Sequence, residues 1–469
     1  LTLTAAGAGK SMTIADATEC KTFLDAHPEI QFFEIVFTNM AGVPRGKRLR
    51  RHEIAAVYEQ GRFLPGSILV NDITGQDVEA TGLVWEDGDA DRIARPIAGR
   101  LTPAPWLGAD VAQVAMSMYE LDGKPHDLDP RHVLKRVIDR FAADGLVPVV
   151  ACELEYYLVD ARRTATGKIQ LPQSPLTGDR PTQHQVYGLR EVEEASPFLR
   201  DLWAAADAMG VPLEGAISEY APGQLELTLK HHADALRAAD DAVLYKRAAK
   251  GVALRHGCEA TFMAKPFADL AGSGMHLHVS VNDKAGKNIF ASDKPEGEPV
   301  LAHAIGGMKA LLADSMAIYA PNANSYRRFK ANSYAPVAPT WGVNNRTVSF
   351  RVPAGAPNTR HIEHRVAGAD AHPTLALAAL LAAVHHGIAN RTDPGPAIVG
   401  DGYAQAAESG ERIPTNWFAA TDRFAESAVL KDYLGARFVK MFTTVKRTEQ
   451  ERFQSVIADV DYDWYLRAS

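Results

Sequence analysis

Two histidines separated by one residue, His276 and His278, follow a glycine-rich turn in the segment 271–280. Alternate side chains of a β-strand share a face, so both imidazoles and the hydroxyl of Ser280 would lie on one side of a strand, with apolar side chains on the other. This pattern favours a metal or phosphate site, although one such pair is more often two satisfied histidines of the core or surface. Its interpretation depends on which other residues lie near it.

A pair of carboxylates shows the same alternation. Glu153 and Glu155 lie within the apolar segment 149–159, where a buried strand would present both on one face. Burial of two like charges costs several kcal/mol unless a cation lies between them. The pair is therefore consistent either with a metal site or with the exposed face of an edge strand.

Three further acidic residues extend this set. Glu219 and Glu226 flank a turn, and Glu363 alternates with His361 and Arg365. Each of them alone is more often a surface charge. Together, five carboxylates and one imidazole would suit two hard divalent cations such as Mg²⁺ or Mn²⁺ far better than zinc, which prefers cysteine and more histidine. Two such ions usually clamp a polyphosphate.

Four arginines could supply the positive charge that an anionic substrate needs. Guanidinium groups are strong paired donors to phosphate and carboxylate groups. Ordinary ion pairs are the alternative explanation, and spacing alone does not separate the two. The four residues are Arg328, Arg346, Arg351 and Arg365.

The elements that would position these residues form an α+β pattern. Residues 30–120 alternate short apolar runs with Gly and Pro, which predicts a small, mostly β domain, and turns at 122–130 precede a longer alternation of strands and helices. We predict a flexible N-terminal segment (1–26), a first domain (27–121) and a second domain (122–469). In the second domain, the predicted strands are 149–159, 224–229, 275–281 and 347–352, and the predicted helices are 131–144, 197–209, 233–256, 299–313 and 373–386.

Composition excludes several classes of protein. The 469 residues are 46% hydrophobic and 23% charged, as in globular proteins, and the net charge of −7 argues against a general binder of nucleic acid or anionic membranes. Three widely spaced cysteines fit a reducing cytoplasm better than a disulfide framework or a zinc cluster. The segment 1–11 lacks the apolar core of a secretion signal, and the longest apolar run, 375–384, is too short to span a bilayer. We expect a cytoplasmic protein with no nucleic-acid or membrane partner.

Taken in order, these motifs resemble those of the glutamine synthetase superfamily, from about residue 32 to the C-terminus. The fold implied by the resemblance is α+β, with an N-terminal β-grasp domain and a catalytic domain that has a curved antiparallel sheet flanked by helices. The resemblance also implies a homo-oligomer, a dodecamer of two hexameric rings with active sites between subunits. The matching segments are 153–155, 219–226, 265–266, 272–278, 324–328, 345–347 and 360–365.

The resemblance further implies an ATP-dependent ligase. The γ-carboxylate of glutamate attacks the γ-phosphate of ATP, and an amine then displaces phosphate from γ-glutamyl phosphate to form an amide. Two or three Mg²⁺ or Mn²⁺ ions per active site would offset the charge. The residue-by-residue match implies a first metal site of Glu155, Glu219 and Glu226 and a second of Glu153, His276 and Glu363. It implies ATP contacts from Glu214, His278, Ser280 and Arg351, and glutamate contacts from Glu155, Gly272, Arg328 and Arg365. The implied catalytic group is Arg346, Arg351 and Glu363.

The chain departs from glutamine synthetases where those enzymes bind ammonium. Their acidic Asp-Gly-Ser-Ser loop corresponds to the segment 63–68, which has no aspartate, and Tyr334 stands where a second acid precedes Ala-Pro. Asn358 and His361 also stand where many family members have a lysine and an arginine. A pocket without anionic partners would bind ammonium poorly, whereas an organic amine gains affinity from its carbon chain or ring.

The leading hypothesis is therefore a γ-glutamylpolyamine synthetase of polyamine catabolism, with putrescine or a related polyamine as acceptor. A diamine would need a distal carboxylate, for which Asp72 is a candidate. An alkyl- or arylamine, such as isopropylamine, methylamine, ethanolamine or aniline, is the alternative acceptor. Ammonia-dependent glutamine synthetase and a non-catalytic structural or regulatory relative are further alternatives, although the intact carboxylate set argues against the latter. The predicted acceptor pocket comprises Phe63, Leu64, Tyr334 and Trp341.

Overall fold

The computed structural model describes residues 13–469, which begin with a five-stranded sheet. Its strands are β1 (Phe32–Thr38), β2 (Pro44–Arg50), β3 (Arg62–Pro65), β4 (Asp91–Pro103) and β5 (Val111–Tyr119). The strand order is β2-β1-β5-β4-β3, in which β1 and β5 are parallel and the other neighbours are antiparallel. Two helices, α1 (Ala17–Ala26) and α2 (Ile54–Gln60), pack against each other and against β4.

Helix α1 corrects the flexible segment that we predicted over residues 1–26, of which residues 1–12 lie outside the described part of the chain. Asp16 caps the helix, because its carboxylate accepts hydrogen bonds from two backbone N–H groups of the first turn. The Tyr58 hydroxyl of α2 donates to the Glu19 carboxylate at 3.2 Å. A contact between residues so far apart in the chain leaves no local pattern in the sequence.

The second, larger sheet has eight strands. They are β6 (Leu146–Asp160), β7 (Leu213–Ser218), β8 (Gln224–Leu229), β9 (Cys258–Thr261), β10 (Met275–Asp283), β11 (Trp341–Val343), β12 (Phe350–Val352) and β13 (Ile362–His364). The order is β11-β12-β13-β10-β6-β8-β7, and β9 pairs with the end of β6. These neighbours are antiparallel, except that β11 and β12 are parallel. Strands β13, β10, β6 and β8 therefore lie side by side in the middle of the sheet.

Eleven further helices follow the first sheet. They are α3 (Pro130–Ala143), α4 (Leu189–Glu194), α5 (Ser196–Ala208), α6 (Ala235–Arg255), α7 (Pro299–Tyr319), α8 (Pro373–Asn390), α9 (Gly402–Ser409), α10 (Trp417–Glu426), α11 (Ala428–Leu434), α12 (Ala436–Gln454) and α13 (Asp459–Tyr465). Among them, α3, α4, α5 and α6 pack against strands of the second sheet, and α3 and α6 contact β6. The predicted α+β fold is confirmed, whereas the domain boundary between residues 121 and 122 stays a prediction.

Helix α8 lies inside the helical layer, in contact with α3, α6 and α7. Its 18 residues have a mean hydropathy of 1.2, so the helix is long and apolar enough to cross a membrane by length and composition alone. However, 78% of those residues are buried inside the protein. A helix that is apolar on all sides and enclosed by other helices is typical of a globular core.

Candidate active site

Three cross-strand pairs gather the predicted ligands on one face of the larger sheet. Residues directly opposite each other on neighbouring strands point to the same side and have close Cβ atoms. The alternation seen in the sequence therefore brings carboxylates from β6, β8 and β13 around the two histidines of β10. The pairs are Glu153 with His276, Glu155 with Glu226, and Glu363 with His278.

His276 lies at the centre of this carboxylate cluster. Its Nδ1 is 3.1 Å from Glu153 Oε1 and 3.8 Å from Glu363 Oε1. Its Nε2 is 3.7 Å from Glu155 Oε1, and its Nδ1 is 3.9 Å from Glu226 Oε2. Two groups of possible ligand atoms, each within 4.8 Å of one another, share this imidazole: one includes Glu153 and Glu363, and the other includes Glu155 and Glu226. The first group has the composition that we predicted for the second metal site.

Glu219 lies in the turn between β7 and β8. Its Oε2 accepts a hydrogen bond from the backbone N–H of Tyr220 at 3.1 Å. Burial and the neighbouring charge of Glu155 raise the pKa of Glu219 to about 7. The family resemblance implies that Glu219 joins Glu155 and Glu226, whereas the structure places His276 with those two carboxylates. Metal ligation by Glu219 stays a prediction.

The buried carboxylates repel one another. Burial and the charges of Glu153 and Glu155 raise the pKa of Glu226 to about 12. Burial also opposes ionisation of Glu153, but its contacts with His276 and His278 hold its pKa well below the ordinary value. A divalent cation between the carboxylates would remove the repulsion, and a donor set rich in oxygen suits Mg²⁺ or Mn²⁺. The residues present therefore fit the predicted metal ions.

Two arginines hold Glu363 in place. Arg351 Nη1 donates to Glu363 Oε2 at 2.8 Å, and Arg365 Nη1 donates to Oε1. Glu363 is only 2% exposed, and although burial opposes its ionisation, Arg365 and His276 lower its pKa to about 2. This carboxylate is therefore ionised and fixed in orientation before any ligand binds.

The glycine turn before β10 positions both a cation and a carboxylate. A Cβ atom on Gly272 would lie 2.7 Å from Arg328 Cγ, and one on Gly274 would lie 2.6 Å from Arg328 Nη2, so only glycine leaves room for this buried arginine. The backbone N–H of Gly274 donates to Glu155 Oε2 at 2.8 Å. Gln224, which sequence reasoning missed, braces the turn because its Nε2 donates to the Gly272 carbonyl at 3.0 Å.

Arg346, Glu214 and Ser280 are less enclosed than the carboxylate cluster. Arg346 is exposed in the loop between β11 and β12, and Glu214 is exposed on β7. Ser280 is half-buried on β10, on the strand face that also carries His276 and His278. Their roles toward ATP and the transition state stay predictions.

The four predicted acceptor residues lie on two different sheets and on one loop. Phe63 and Leu64 lie on β3, and Phe63 is 52% exposed. Tyr334 is 57% exposed in the loop before β11, and its φ of +57° lies in the left-handed region that bulky residues rarely adopt. Trp341 on β11 is buried, and its Nε1 donates to the Gly395 carbonyl at 2.9 Å. Trp341 therefore offers a ligand little surface, whereas Phe63 and Tyr334 are accessible.

Asp72, the candidate partner for the distal ammonium of a diamine, is already paired. It is 1% exposed, accepts a hydrogen bond from the Thr74 hydroxyl at 2.7 Å and forms an ion pair with Arg452. These contacts close its carboxylate to solvent and argue against the role suggested for Asp72, which stays a prediction.

A third histidine, His231, joins this face and was missed by sequence reasoning. It follows the end of β8, and its ring centroid lies 5.5 Å from that of His278 and 5.4 Å from that of His361. The alternation of β8 would place residue 231 on the side opposite Glu226, so no periodic pattern pointed to it. The pairing of residue 232 with Val150 on β6 brings His231 to the site.

Comparisons with known proteins identify the family of this chain. Residues 127–465 match the family model described as glutamine synthetase, catalytic domain. The chain is 38% identical to the gamma-glutamylputrescine synthetase PuuA of Escherichia coli (strain K12) over 449 residues, which cover 96% of this chain and 94% of that protein. It is 31% identical to a glutamate–isopropylamine ligase of a Pseudomonas species over 458 residues, which cover 95% of this chain and 97% of that protein.

A solved structure of a GmaS–ADP complex superposes on this chain with a TM-score of 0.82 at 28% identity, covering 96% of this chain and 99% of that one. The likeness thus includes the sheet that carries the carboxylate cluster as well as the N-terminal sheet. The chain therefore belongs to the glutamine synthetase family and is a ligase of that family, whose members use ATP and divalent metal ions.

Proposed function

We propose that this enzyme joins the γ-carboxylate of L-glutamate to putrescine or another polyamine through γ-glutamyl phosphate. The observation that carries this proposal is the carboxylate cluster around His276, in which burial and the neighbouring carboxylates raise the pKa of Glu226 to about 12 and a bound cation would favour its ionised form. The identity of 38% to a γ-glutamylputrescine synthetase supports the acceptor.

The carboxylates around His276 support two Mg²⁺ or Mn²⁺ ions if His276 joins Glu153 and Glu363 and Glu219 joins Glu155 and Glu226, and phosphate oxygens of ATP would complete a site for a third. When bound, such ions act as Lewis acids and neutralise charge on the transferring phosphoryl group. The protein holds its ligands ready, because the Gly274 N–H already orients Glu155 and Arg351 already orients Glu363. Ligands fixed in advance cost no reorganisation during the reaction.

Arginine donors would receive the two anionic substrates. Within residues 13–469, the buried Nε atoms of Arg351 and Arg365 have no hydrogen-bond partner. We assign the Arg351 donor to ATP phosphate and the Arg365 donor, with Arg328, to the substrate glutamate. Arg346 would approach the transferring phosphoryl group from its exposed loop. The γ-carboxylate oxygen then forms a bond to the γ-phosphorus while the bond from that phosphorus to the β–γ bridging oxygen breaks and ADP leaves.

We assign amine binding to Phe63 and Tyr334, with smaller contributions from Leu64 and the edge of Trp341. Aromatic faces attract ammonium groups, and apolar side chains contact methylene groups. The left-handed backbone of Tyr334 supports a functional role, because strain of about 1–3 kcal/mol tends to persist at ligand sites. Phe63 and Leu64 lie on the first sheet, whereas Trp341 lies on the second sheet and Tyr334 in the loop before β11. We propose that a ring-shaped dodecamer in the cytoplasm brings the two parts together and completes each acceptor site between subunits.

An alkyl monoamine is the second candidate acceptor. The identity of 31% to a glutamate–isopropylamine ligase favours it, as does the pairing of Asp72 with Arg452, which withholds one carboxylate from a distal ammonium. Within the proposed pocket, exposed rings without a carboxylate would hold a monoamine as well as a diamine.

Phosphate release from ATP, with Mg²⁺ and L-glutamate present, tests the proposal against a panel of amines. The panel comprises ammonium, methylamine, isopropylamine, ethanolamine, putrescine, spermidine and aniline, with each product identified by its mass. We expect the highest kcat/KM for putrescine or spermidine. A preference for isopropylamine would establish the second candidate, a preference for ammonium would contradict both, and no turnover with any amine would favour the non-catalytic alternative.

A further inference from the structure

Three histidines converge beside the carboxylate cluster, and we call them the histidine site. His231 follows β8, His278 lies on β10 and His361 immediately precedes β13. Their ring centroids are 5.3, 5.4 and 5.5 Å apart. One nitrogen atom of each ring lies within 4.8 Å of the corresponding atoms of the other two. The strand pairing that builds the carboxylate cluster therefore also gathers three imidazoles.

The nitrogen atoms of the histidine site are short of partners. Both ring nitrogens of the buried His278, and Nε2 of His231, have no hydrogen-bond partner within residues 13–469. His278 Nε2 is 3.4 Å from Glu153 Oε2 without the alignment of a hydrogen bond. Buried polar atoms without partners cost free energy and call for an explanation such as a bound ion.

His361 is oriented as a metal ligand would be. Its Nδ1 donates to the backbone carbonyl of Thr359 at 2.8 Å, so the proton lies on Nδ1 and the lone pair on Nε2. Histidines that bind metals commonly donate their other ring N–H to a carbonyl or carboxylate, which fixes the ring. His361 thus presents a basic nitrogen whose direction is already set by the backbone.

The distances are compatible with ligation after small side-chain rotations. Tetrahedral Zn²⁺ with Zn–N distances of about 2.0–2.1 Å requires ligand nitrogens about 3.3 Å apart. The nitrogen atoms here are separated by at most 4.8 Å, so each pair must approach by no more than about 1.5 Å. Three imidazoles with a fourth position left for water form a donor set typical of Zn²⁺ and other late transition metals.

We propose that His231, His278 and His361 bind a late transition-metal ion such as Zn²⁺ at a site separate from the Mg²⁺ sites. The carboxylate cluster offers oxygen atoms and one imidazole, whereas the histidine site offers nitrogen atoms alone, so the two prefer different ions. Glu153 separates them, with Oε1 toward His276 and Oε2 toward His278. Because we assign His278 to ATP phosphate, Zn²⁺ would also weaken ATP binding, and only this consequence rests on the proposed function.

Titration of the full chain with Co²⁺ in excess Mg²⁺, without nucleotide or amine, tests the proposal. Tetrahedral Co²⁺ bound by nitrogen absorbs visible light far more strongly than octahedral Co²⁺ bound by oxygen. We expect an intense band that saturates at one Co²⁺ per chain and is abolished by Zn²⁺. His231→Gln and His361→Gln should each remove the band and weaken binding at least tenfold. His386→Gln, whose ring on α8 contacts Asn390, is the matched control and should keep it.

A carboxylate variant distinguishes the two sites. Glu226→Gln should weaken Mn²⁺ binding and leave the Co²⁺ band intact, whereas His231→Gln should do the reverse, with circular dichroism showing that each variant is folded. A weak octahedral spectrum in the unsubstituted protein would overturn the proposal. So would an intense band that survives both histidine substitutions, or one that disappears with Glu226→Gln. None of these results depends on turnover, so failure here is separable from failure of the proposed function.

Discussion

The carboxylate cluster and the acceptor residues are built in different ways. Glu363 is 2% exposed, is held by two arginines and lies within a paired strand, whereas Phe63 and Tyr334 are 52% and 57% exposed, on β3 and on a loop. A side chain set by strand register cannot shift without breaking the pairing of the sheet, but loop residues change at little cost. We therefore propose that the sheet fixes the phosphate chemistry, whereas loops and edge strands determine the choice of amine.

The largest effect should come from Glu226→Gln, which removes one carboxylate from the cluster around His276. We expect kcat to fall by about 10²–10³-fold, because the metal site loses an anionic ligand. Unfolding by urea without metal should show no loss of stability, since Glu226, whose pKa is raised to about 12, is neutral without a cation and glutamine is a neutral side chain of similar size. Glu259→Gln on β9, whose carboxylate pairs with Arg163 near the surface, is the matched control for kcat. A kcat of Glu226→Gln above a tenth of the unsubstituted value would contradict an essential role for this carboxylate.

An intermediate effect is expected from pH. The pKa values of Glu226 and Glu219 are raised to about 12 and about 7, so metal binding must displace one proton above pH 7 and two below it. Mg²⁺ affinity should therefore rise about tenfold per pH unit above about pH 7, where one proton is displaced. Below about pH 7, where two protons are displaced, it should rise about a hundredfold per pH unit. Calorimetry between about pH 6 and about pH 8 measures this slope. Glu219→Gln should bind Mg²⁺ more weakly, and its affinity should follow the shallower dependence on pH over the whole range. If the slope changes near pH 7 in both proteins, Glu219 is not the group that titrates there.

The smallest effect should come from Tyr334→Ala, among the proposed acceptor residues. Loss of one exposed aromatic face should raise the KM for the amine by about 3–10-fold, because an exposed cation–π contact contributes about 0.5–1 kcal/mol and packing adds to it. The KM for ATP should stay unchanged, and Tyr334→Phe should behave like the unsubstituted enzyme. A rise in the KM for ATP of equal size would show that the two regions are not independent.

Strand alternation made much of the carboxylate cluster predictable from the sequence. Glu153, Glu155, His276 and His278 lie on the predicted faces of β6 and β10, because a period of two residues is a local property of an extended chain. Glu363 was found in the same way, although its strand has only three residues.

Other features depended on contacts between distant segments. His231 lies beyond the end of β8 and reaches the site only through the pairing of residue 232 with β6. Trp341 is withdrawn by its hydrogen bond to residue 395, and Asp72 is occupied by Arg452, and neither partner is signalled by spacing. The acceptor residues were the hardest to place, because loops carry no periodic pattern.

Counting the Mn²⁺ ions bound per chain, by the electron paramagnetic resonance signal of free Mn²⁺, tests the central claim most directly. With His276 assigned to the group of Glu153 and Glu363, and Glu219 proposed to join Glu155 and Glu226, we predict two ions per unsubstituted chain without substrate. Glu226→Gln should bind one fewer, and Tyr334→Ala should still bind two. Absence of tight binding in the unsubstituted protein, or a loss in Tyr334→Ala that Glu226→Gln does not show, would contradict the account.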